Sequence, residues 1–263
     1  MMDILTFLSG VIMISVITYL IINVNKFVRN IKCVKKAKKV LVVVAHPDDE
    51  CMFFAPTLIN LCKREKSSVT EVHLLCLSSG NYYSQGKLRK IELRKSCQIL
   101  GIPLSNITVV QHTSMPDDPM CLWREDLVGN IILKFIEKLS IDTVFTFDEK
   151  GISGHLNHKS LYNGLNYLLE EGLIPRGCKI YLLETVNIFR KYSIIFDLII
   201  SLIWSNRAFI SSLQEVRLAQ NAMSCHVSQL LWFRKLYMIF SRYIFINTYK
   251  KLTESHYSFH KDK

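Results

Sequence analysis

The chain has 263 residues and a formal net charge of +11, a length that sets a prior of one or two domains. With 49% hydrophobic and 21% charged residues, ten glycines and six prolines, it can bury a core. Wholesale disorder, collagen-like chains and low-complexity chains are excluded. The charge is local: residues 25–40 carry seven Lys or Arg and no acid, and residues 230–263 carry seven against two acids. The remainder holds 19 basic and 20 acidic residues. A neutral body argues against a nucleic-acid-binding face and for two basic patches.

From Ile4 to Val24 run 21 residues without a charge, about 30 Å of helix, enough to cross a bilayer. A cleaved signal peptide would want a basic start, a shorter apolar stretch and a small-residue cleavage site. Here only Asp3 is charged before the run, and bulky residues follow it. Residues 1–24 are therefore predicted to be a transmembrane anchor. The basic linker 25–39 after it (Lys26, Arg29, Lys32, Lys35, Lys36, Lys38, Lys39) places the next domain in the cytosol by the positive-inside rule. Eight scattered cysteines without a CxxC fit that side, as reduced core residues. Asn106-Ile107-Thr108 is a glycosylation sequon, usable only in the lumen.

Beyond the linker, short apolar runs alternate with helix-length amphipathic segments. Strands are predicted at Val40–Ala45, Val72–Leu77, Ile107–Gln111, Thr143–Phe147 and Lys179–Leu183, with helices near 50–64, 87–100, 125–139 and 157–171. Gly101 before Pro103 and Gly172 before Pro175 stop the second and fourth helices. The rhythm predicts an α/β fold, a Rossmann-like parallel sheet flanked by helices, over residues 40–250. Residues 185–250 read as a helical C-terminal extension and 251–263 as a polar tail. Ile194–Trp204, interrupted by Asp197, is too short to span a membrane. In Leu230–Phe245 the polar residues Arg234, Lys235, Ser241 and Arg242 recur at seven-residue spacing on one helix face. That helix is either packed on the sheet with a solvated basic edge, or interfacial and in contact with anionic headgroups.

The first strand runs into His46-Pro47-Asp48-Asp49-Glu50, at the carboxyl end where doubly wound folds place their sites. Acids at a helix start also complement its dipole, but that explains neither the histidine nor the proline. The fourth strand ends at Asp148, followed by Gly151-Ile152-Ser153-Gly154-His155-Leu156-Asn157-His158. On a helix starting there, His155 and His158 stand one turn apart. Strands one and four are neighbours in a 3-2-1-4-5 order, so the two clusters converge on one crevice. Nitrogen and oxygen donors of this kind suit hard or borderline divalent metals.

Together, AHPDDE (Ala45–Glu50) and the later GHxxH resemble the zinc-dependent sugar de-N-acetylases. The segments Thr146–His158, Asp117–Pro119 and Ala222–Asn247 are similar to the eukaryotic N-acetylglucosaminylphosphatidylinositol de-N-acetylases. The similarity covers roughly residues 1–250. It implies His46, Asp49 and His158 as metal ligands, two imidazoles and one carboxylate that leave a coordination position open, as a catalytic zinc needs. The same set suits non-haem iron. It implies Asp48 as general base and His155 as the residue that protonates the leaving amine or steadies the oxyanion. Bacterial members commonly carry an acid where this chain has Asn157, which weakens support for an imidazolium at His155; Asp148 is a substitute partner.

Arg89, in Arg89-Lys90-Ile91-Glu92-Leu93, matches a family RxxEL pattern on the substrate side of the cleft, where its bidentate fork suits a phosphate. Its bland alternative is an exposed pair with Glu92, worth a few tenths of a kcal/mol. Asn81 is placed in the same crevice, with an ordinary turn residue as the alternative. His112 and Asp117-Asp118 read as residues of a Pro-bounded turn rather than of a sugar pocket. His226 receives no chemistry.

The activity implied is hydrolysis of the N-acetyl group of N-acetylglucosaminyl-phosphatidylinositol, the second step of glycosylphosphatidylinositol anchor synthesis. The implied compartment is the endoplasmic reticulum membrane, single-pass, with the catalytic domain facing the cytosol. The expected cofactor is a divalent metal, zinc by the resemblance. The expected partners are a glycolipid substrate and membrane lipids, without nucleic acid. The alternatives are a deacetylase of a soluble amino-sugar conjugate and a non-catalytic, membrane-tethered phosphoinositide-binding module.

Overall fold

The computed structural model describes residues 37–63, 70–205 and 207–253, together with Gly10. The expected anchor (apart from Gly10), most of the linker and residues 254–263 of the tail lie outside the described residues. Among the described residues no helix is long and apolar enough to cross a membrane.

Strand β1 (Lys39–Val44) is followed by α1 (Asp49–Met52), α2 (Ala55–Cys62), β2 (Glu71–Cys76), α3 (Gly86–Leu100) and β3 (Ile107–Val109). Then come α4 (Glu125–Leu139), β4 (Thr143–Phe147), α5 (Leu156–Glu170) and β5 (Lys179–Leu183). These five strands pair in parallel in the order β3-β2-β1-β4-β5, as the rhythm of the sequence predicts. Val40, Leu41, Val42, Val43, Val44 and Ala45 are almost wholly buried, because helices cover both faces of a central parallel strand. β1 and β4 lie side by side at the point where the strand order reverses, so the chain after each turns into one crevice.

The single helix expected near 50–64 is two helices, broken at Phe53-Phe54. Pro56, in the first turn of α2, has no N–H to donate to Met52, so the α1 ladder cannot continue through it. Asn247 from the C-terminal segment fills the break: its Nδ2 donates to Phe53 O at 2.8 Å and its Oδ1 accepts from Thr57 Oγ1 at 2.8 Å.

The extension beyond residue 185 is not wholly helical. It comprises α6 (Ile188–Tyr192), α7 (Ile194–Trp204), β6 (Ala208–Ile210), α8 (Leu213–Ser224), α9 (Trp232–Phe240), α10 (Arg242–Phe245) and β7 (Ile246–Lys251). β7 pairs antiparallel with β5, and β6 with β7, covering the edge of the parallel sheet. The helix expected over Leu230–Phe245 breaks at Ser241, whose Oγ accepts from Tyr243 N at 3.3 Å and so caps a new helix. The seven-residue stripe is therefore split, and its arginines are not at a solvated edge. Arg242 is buried, with Nε 2.5 Å from Asp197 Oδ2, and Arg190 Nε reaches Asp197 Oδ1 at 2.7 Å. Asp197, the acid that interrupts the apolar run, thus pins α10 and α6 to α7. Removing one partner of such a buried pair costs about 3–5 kcal/mol.

Candidate active site

The turn after β1 folds around one carboxylate. Asp49 Oδ2 accepts from the main-chain N–H of Ala45 (3.0 Å) and of His46 (2.8 Å). Asp48 has φ 121, a region that costs a non-glycine residue about 1–3 kcal/mol and persists only where the surroundings over-determine it. They do so here. Asp48 N–H donates to Glu50 Oε2 (3.0 Å), and Glu50 Oε1 is held by His226 Nε2 (2.7 Å) and Ser96 Oγ (2.5 Å). Glu50, Ser96 and His226 are fully buried. Burial pushes the Glu50 carboxyl up, but the charge and hydrogen bond of His226 outweigh it and hold Glu50 below the ordinary range. The donors of Glu50, Cys51 and His226 also lie within 4.8 Å of one another. With Glu50 engaged by His226, Ser96 and Asp48, the group reads as a proton-holding pair.

The second half comes from β4. Asp148 does not reach His155: it accepts from Thr185 N (2.7 Å), Thr185 Oγ1 (2.5 Å), Lys150 N and Gly151 N, and so shapes the loop. The loop must be glycine at 151, where φ is 63 and an added Cβ would lie 2.8 Å from His158 Cβ. His158 Nδ1 faces Gly151 O at 3.0 Å and its ring stacks on Phe147 at 4.1 Å. Both ring nitrogens of His158 thus face acceptors, Nδ1 at Gly151 O and Nε2 at Asp49 Oδ1, 3.1 Å away, and the Nδ1 contact leaves Nε2 as the nitrogen a metal would use.

His46, Asp49 and His158 converge: one donor atom of each lies within 4.8 Å of the others, and all three are buried. His46 Nε2 lies 3.0 Å from Asn157 Oδ1 and 3.2 Å from Asp117 Oδ1, while its Nδ1 lies 3.6 Å from Asp49 Oδ2. Burial alone would push the Asp49 carboxyl up, but His158 and His46 hold it well below the usual range. Burial likewise opposes a charged His46, yet hydrogen bonds to Asp117 and Asp49 raise it to about 10. A divalent cation fits this donor set. It meets an ionised carboxylate and two imidazoles with outer acceptors on their far nitrogens, and takes the place of the proton charge now held between them.

His155 sits at the start of α5, and its Nδ1 accepts from Asn157 N at 3.2 Å. Its ring centroid is 4.6 Å from that of His46 and 5.1 Å from that of His158. Burial, followed by those two neighbouring imidazoles, pushes it down to about 4. His155 is therefore neutral at pH 7, with its one proton on Nε2.

Asp48 flanks the His46, Asp49 and His158 group without joining it. Its Oδ2 accepts from Arg234 Nη1 at 2.5 Å and lies 3.5 Å from Arg89 Nη2. Burial raises its pKa, and the two arginines pull in the opposite direction. Arg89 is buried and forms no pair with Glu92, whose carboxylate accepts from Ser228 instead. Arg89 donates to Pro47 O (2.7 Å) and Gly80 O (3.1 Å) and lies 3.5 Å from Asp117 Oδ2. It packs so closely over Gly80, φ 69, that an added Cβ would meet its guanidinium at about 2.5 Å. His46, Asp48, Asp49, His155, His158, Arg89, Asp117 and Arg234 open into a cleft of about 360 Å³, lined also by Tyr82, Tyr83 and Phe233. Asn81 lies outside it. It lines the adjoining groove with Gln111 and His112, and its Oδ1 accepts from Gly86 N at the start of α3.

The comparisons with known proteins agree with this geometry. The sequence profile of the family described as PIG-L, GlcNAc-PI de-N-acetylase, matches residues 41–167. The chain is 47% identical over 211 residues to the N-acetylglucosaminyl-phosphatidylinositol de-N-acetylase of Bos taurus, covering 80% of this chain and 82% of that one.

The chain belongs to the GlcNAc-PI de-N-acetylase family.

It is also 38% identical over 241 residues to a probable enzyme of the same name from Dictyostelium discoideum, over 80% of this chain and 92% of that one. In fold it is similar to N,N'-diacetylchitobiose deacetylase from Pyrococcus horikoshii, with a TM-score of 0.59 and 19% identity, over 83% of this chain and 85% of that chain.

Four residues of this family member have site contacts that reasoning on the sequence does not assign. Asp117, read as a turn residue, contacts His46 and Arg89; His112 and Asp118 do serve the turn, accepting from Ser114 N and Met120 N. Arg234, read as part of a basic helix edge, clamps Asp48. His226 supports Asp48 through Glu50. Asn157, read as a missing acid for His155, orients His46. The segments Asp117–Pro119, Thr146–His158 and Ala222–Asn247 are where the sequence resembles the eukaryotic branch, and that was the available signal for all four.

Proposed function

We propose that this chain hydrolyses the N-acetyl group of N-acetylglucosaminyl-phosphatidylinositol to give glucosaminyl-phosphatidylinositol and acetate, the second step of glycosylphosphatidylinositol anchor synthesis. The observation that carries the reading is the buried His46, Asp49 and His158 group with Asp48 beside it, in a chain 47% identical to the Bos taurus de-N-acetylase. His46, Asp49 and His158 would hold a divalent metal, zinc in this proposal. Bound there, it supplies Lewis-acid activation of the amide carbonyl and of water.

The other residues then have separable tasks. Asp48, on the cleft wall and not among the ligands, takes a proton from the attacking water. His155 offers Nε2–H to the oxygen of the tetrahedral intermediate, because Asn157 N–H occupies Nδ1. A neutral imidazole is a hydrogen-bond donor rather than a strong acid, so the proton that leaves on the amine passes from Asp48 as the C–N bond breaks. Arg89 and Arg234 oppose the rise that burial causes in the Asp48 pKa and add positive charge to the wall that meets the substrate's phosphate. Lipid linkage of the substrate fits an N-terminal anchor and a cytosol-facing domain at the endoplasmic reticulum membrane.

The test is acetate release by purified full-length protein from N-acetylglucosaminyl-phosphatidylinositol in vesicles, with and without chelator, beside the deacylated, water-soluble headgroup. Chelator-sensitive release from the lipid supports the proposal. Release from the soluble conjugate alone would favour the soluble-substrate alternative, and release from neither would favour a binding module.

A further inference from the structure

Helix α9 has its apolar side facing outward. Trp232, Phe233, Leu236, Ile239 and Phe240 are exposed, Trp232 by 74%. At 100° per residue they fall within an arc of about 120°. Its inward side carries Arg234, bound to Asp48, with Tyr237 and Met238 buried. Helix α6 adds Ile188 and Phe189, 68% and 79% exposed. The two helices meet. Tyr192 of α6 lines a shared hollow of about 450 Å³ with Phe233, Leu236, Tyr237 and Phe240 of α9. Phe233 lines the metal cleft as well, so the apolar face and the mouth of the site share a side chain.

We propose that the outward apolar face of α6 and α9 seats on the surface of a phospholipid bilayer, so that the metal cleft opens at headgroup level. The composition of the face selects this occupant. Neither helix contains an acid, and both contain Lys or Arg beside Trp or Tyr, the pairing that suits the boundary between headgroups and acyl chains. Lys235 is exposed and forms no ion pair among the described residues, which leaves it for anionic headgroups. Chain length allows the pose. Residues 25–36 reach at most about 40 Å when extended. The six residues of β1 separate the start of the sheet from the cleft by only about 20 Å. An N-terminal anchor therefore does not prevent the carboxyl edge from turning to the same membrane. The inference rests on the glycolipid reading for its choice of lipid; its first readout does not depend on activity.

The experiment uses full-length protein in phosphatidylcholine–phosphatidylinositol vesicles, with and without phosphatidylcholine brominated near the headgroup end of its chains. Of the other two tryptophans, Trp123 is buried and Trp204 is 75% exposed, so Trp204→Phe is carried in every protein compared. Emission from Trp232 should be quenched by the bromolipid, and Trp232→Phe should remove that share of the quenching. Equal quenching with and without Trp232 would overturn the proposal, as would a cross-linked dimer through α9 in place of quenching. In a second arm, Phe189→Glu with Ile239→Glu, neither residue lining the metal cleft, should slow acetate release from vesicle-borne substrate by at least about tenfold. Release from the soluble headgroup should stay within about twofold, since the chemistry is untouched. Equal loss on both substrates would overturn the docking role. If wild type deacetylates neither substrate, the proposed reaction fails, and quenching still decides the surface.

Discussion

Asn157 Oδ1 accepts from His46 Nε2 at 3.0 Å, so the side chain that departs from the bacterial pattern serves His46, and only its main-chain N–H serves the histidine two positions before it. Its Nδ2 donates to Cys121 O (2.7 Å) and Asp118 O (3.1 Å), which fixes the amide with oxygen toward His46. An aspartate here would set a carboxylate against two carbonyl oxygens. Asparagine suits the cage because it both donates and accepts.

That geometry gives a first expectation. Asn157→Ala removes an acceptor from His46 Nε2 while Asp117 remains. Outer partners of this kind are worth about 10–100-fold in metal affinity, so competition against a calibrated chelator should show a weakening in that range. Unchanged affinity would show that Asp117 alone orients His46.

The order of the central strands, the crevice and the meeting of the two polar clusters in it were legible in the sequence because they depend on local signals, while the choice of residues within the clusters came from the resemblance. Those signals were apolar runs, glycine stops, and polar residues placed just past a strand. β6 and β7 were not legible. β6 is three residues long and β7 reads Ile-Asn-Thr-Tyr-Lys-Lys, and both exist because the β5 edge needs a partner from far along the chain. Arg234, Arg242 and His226 were missed for the same reason. Their partners, Asp48, Asp197 and Glu50, lie 186, 45 and 176 residues away, and spacing within a helix says nothing about such pairs.

Arg234 should show itself in a pH profile. Burial raises the Asp48 pKa and Arg234 opposes it. Removing the cation in Arg234→Gln therefore raises it further. Asp48 works as a carboxylate, so activity falls once pH drops below its pKa. The acid limb of kcat/KM should move to higher pH in the variant. A limb that stays in place would separate Arg234 from the base.

Metal-free protein should lose stability as pH rises. His46 is raised from 6.5 to about 10 because hydrogen bonds to Asp117 and Asp49 outweigh its burial. A raised folded-state value means the bound proton stabilises the fold fully below 6.5 and progressively less as pH climbs toward 10. Between pH 6.5 and about 8.5, below most thiol titration, Tm of chelator-stripped protein should fall while that of metal-loaded protein stays flatter. Calorimetry at pH 7 should also record proton release on metal uptake. Uptake without it would contradict a protonated His46.

Orientation can be read at Asn106, whose Nδ2 donates to Val72 O at 3.1 Å. If the domain faces the cytosol, its sequon stays unmodified in protein made in cells. A glycosidase-sensitive mass shift at that residue would place the domain in the lumen.

The division of labour between two adjacent aspartates is the centre of the account, and one comparison tests it: zinc content measured beside steady-state acetate release in Asp48→Asn and Asp49→Asn. Asp48→Asn keeps the side chain's size and loses only the proton acceptor. It should bind zinc nearly as wild type does while turnover falls by about 10²–10⁴, the usual contribution of a positioned base. Asp49→Asn loses a ligand, so it should lose zinc first and regain part of its activity when zinc is added. Loss of zinc from Asp48→Asn with retention in Asp49→Asn would contradict the account.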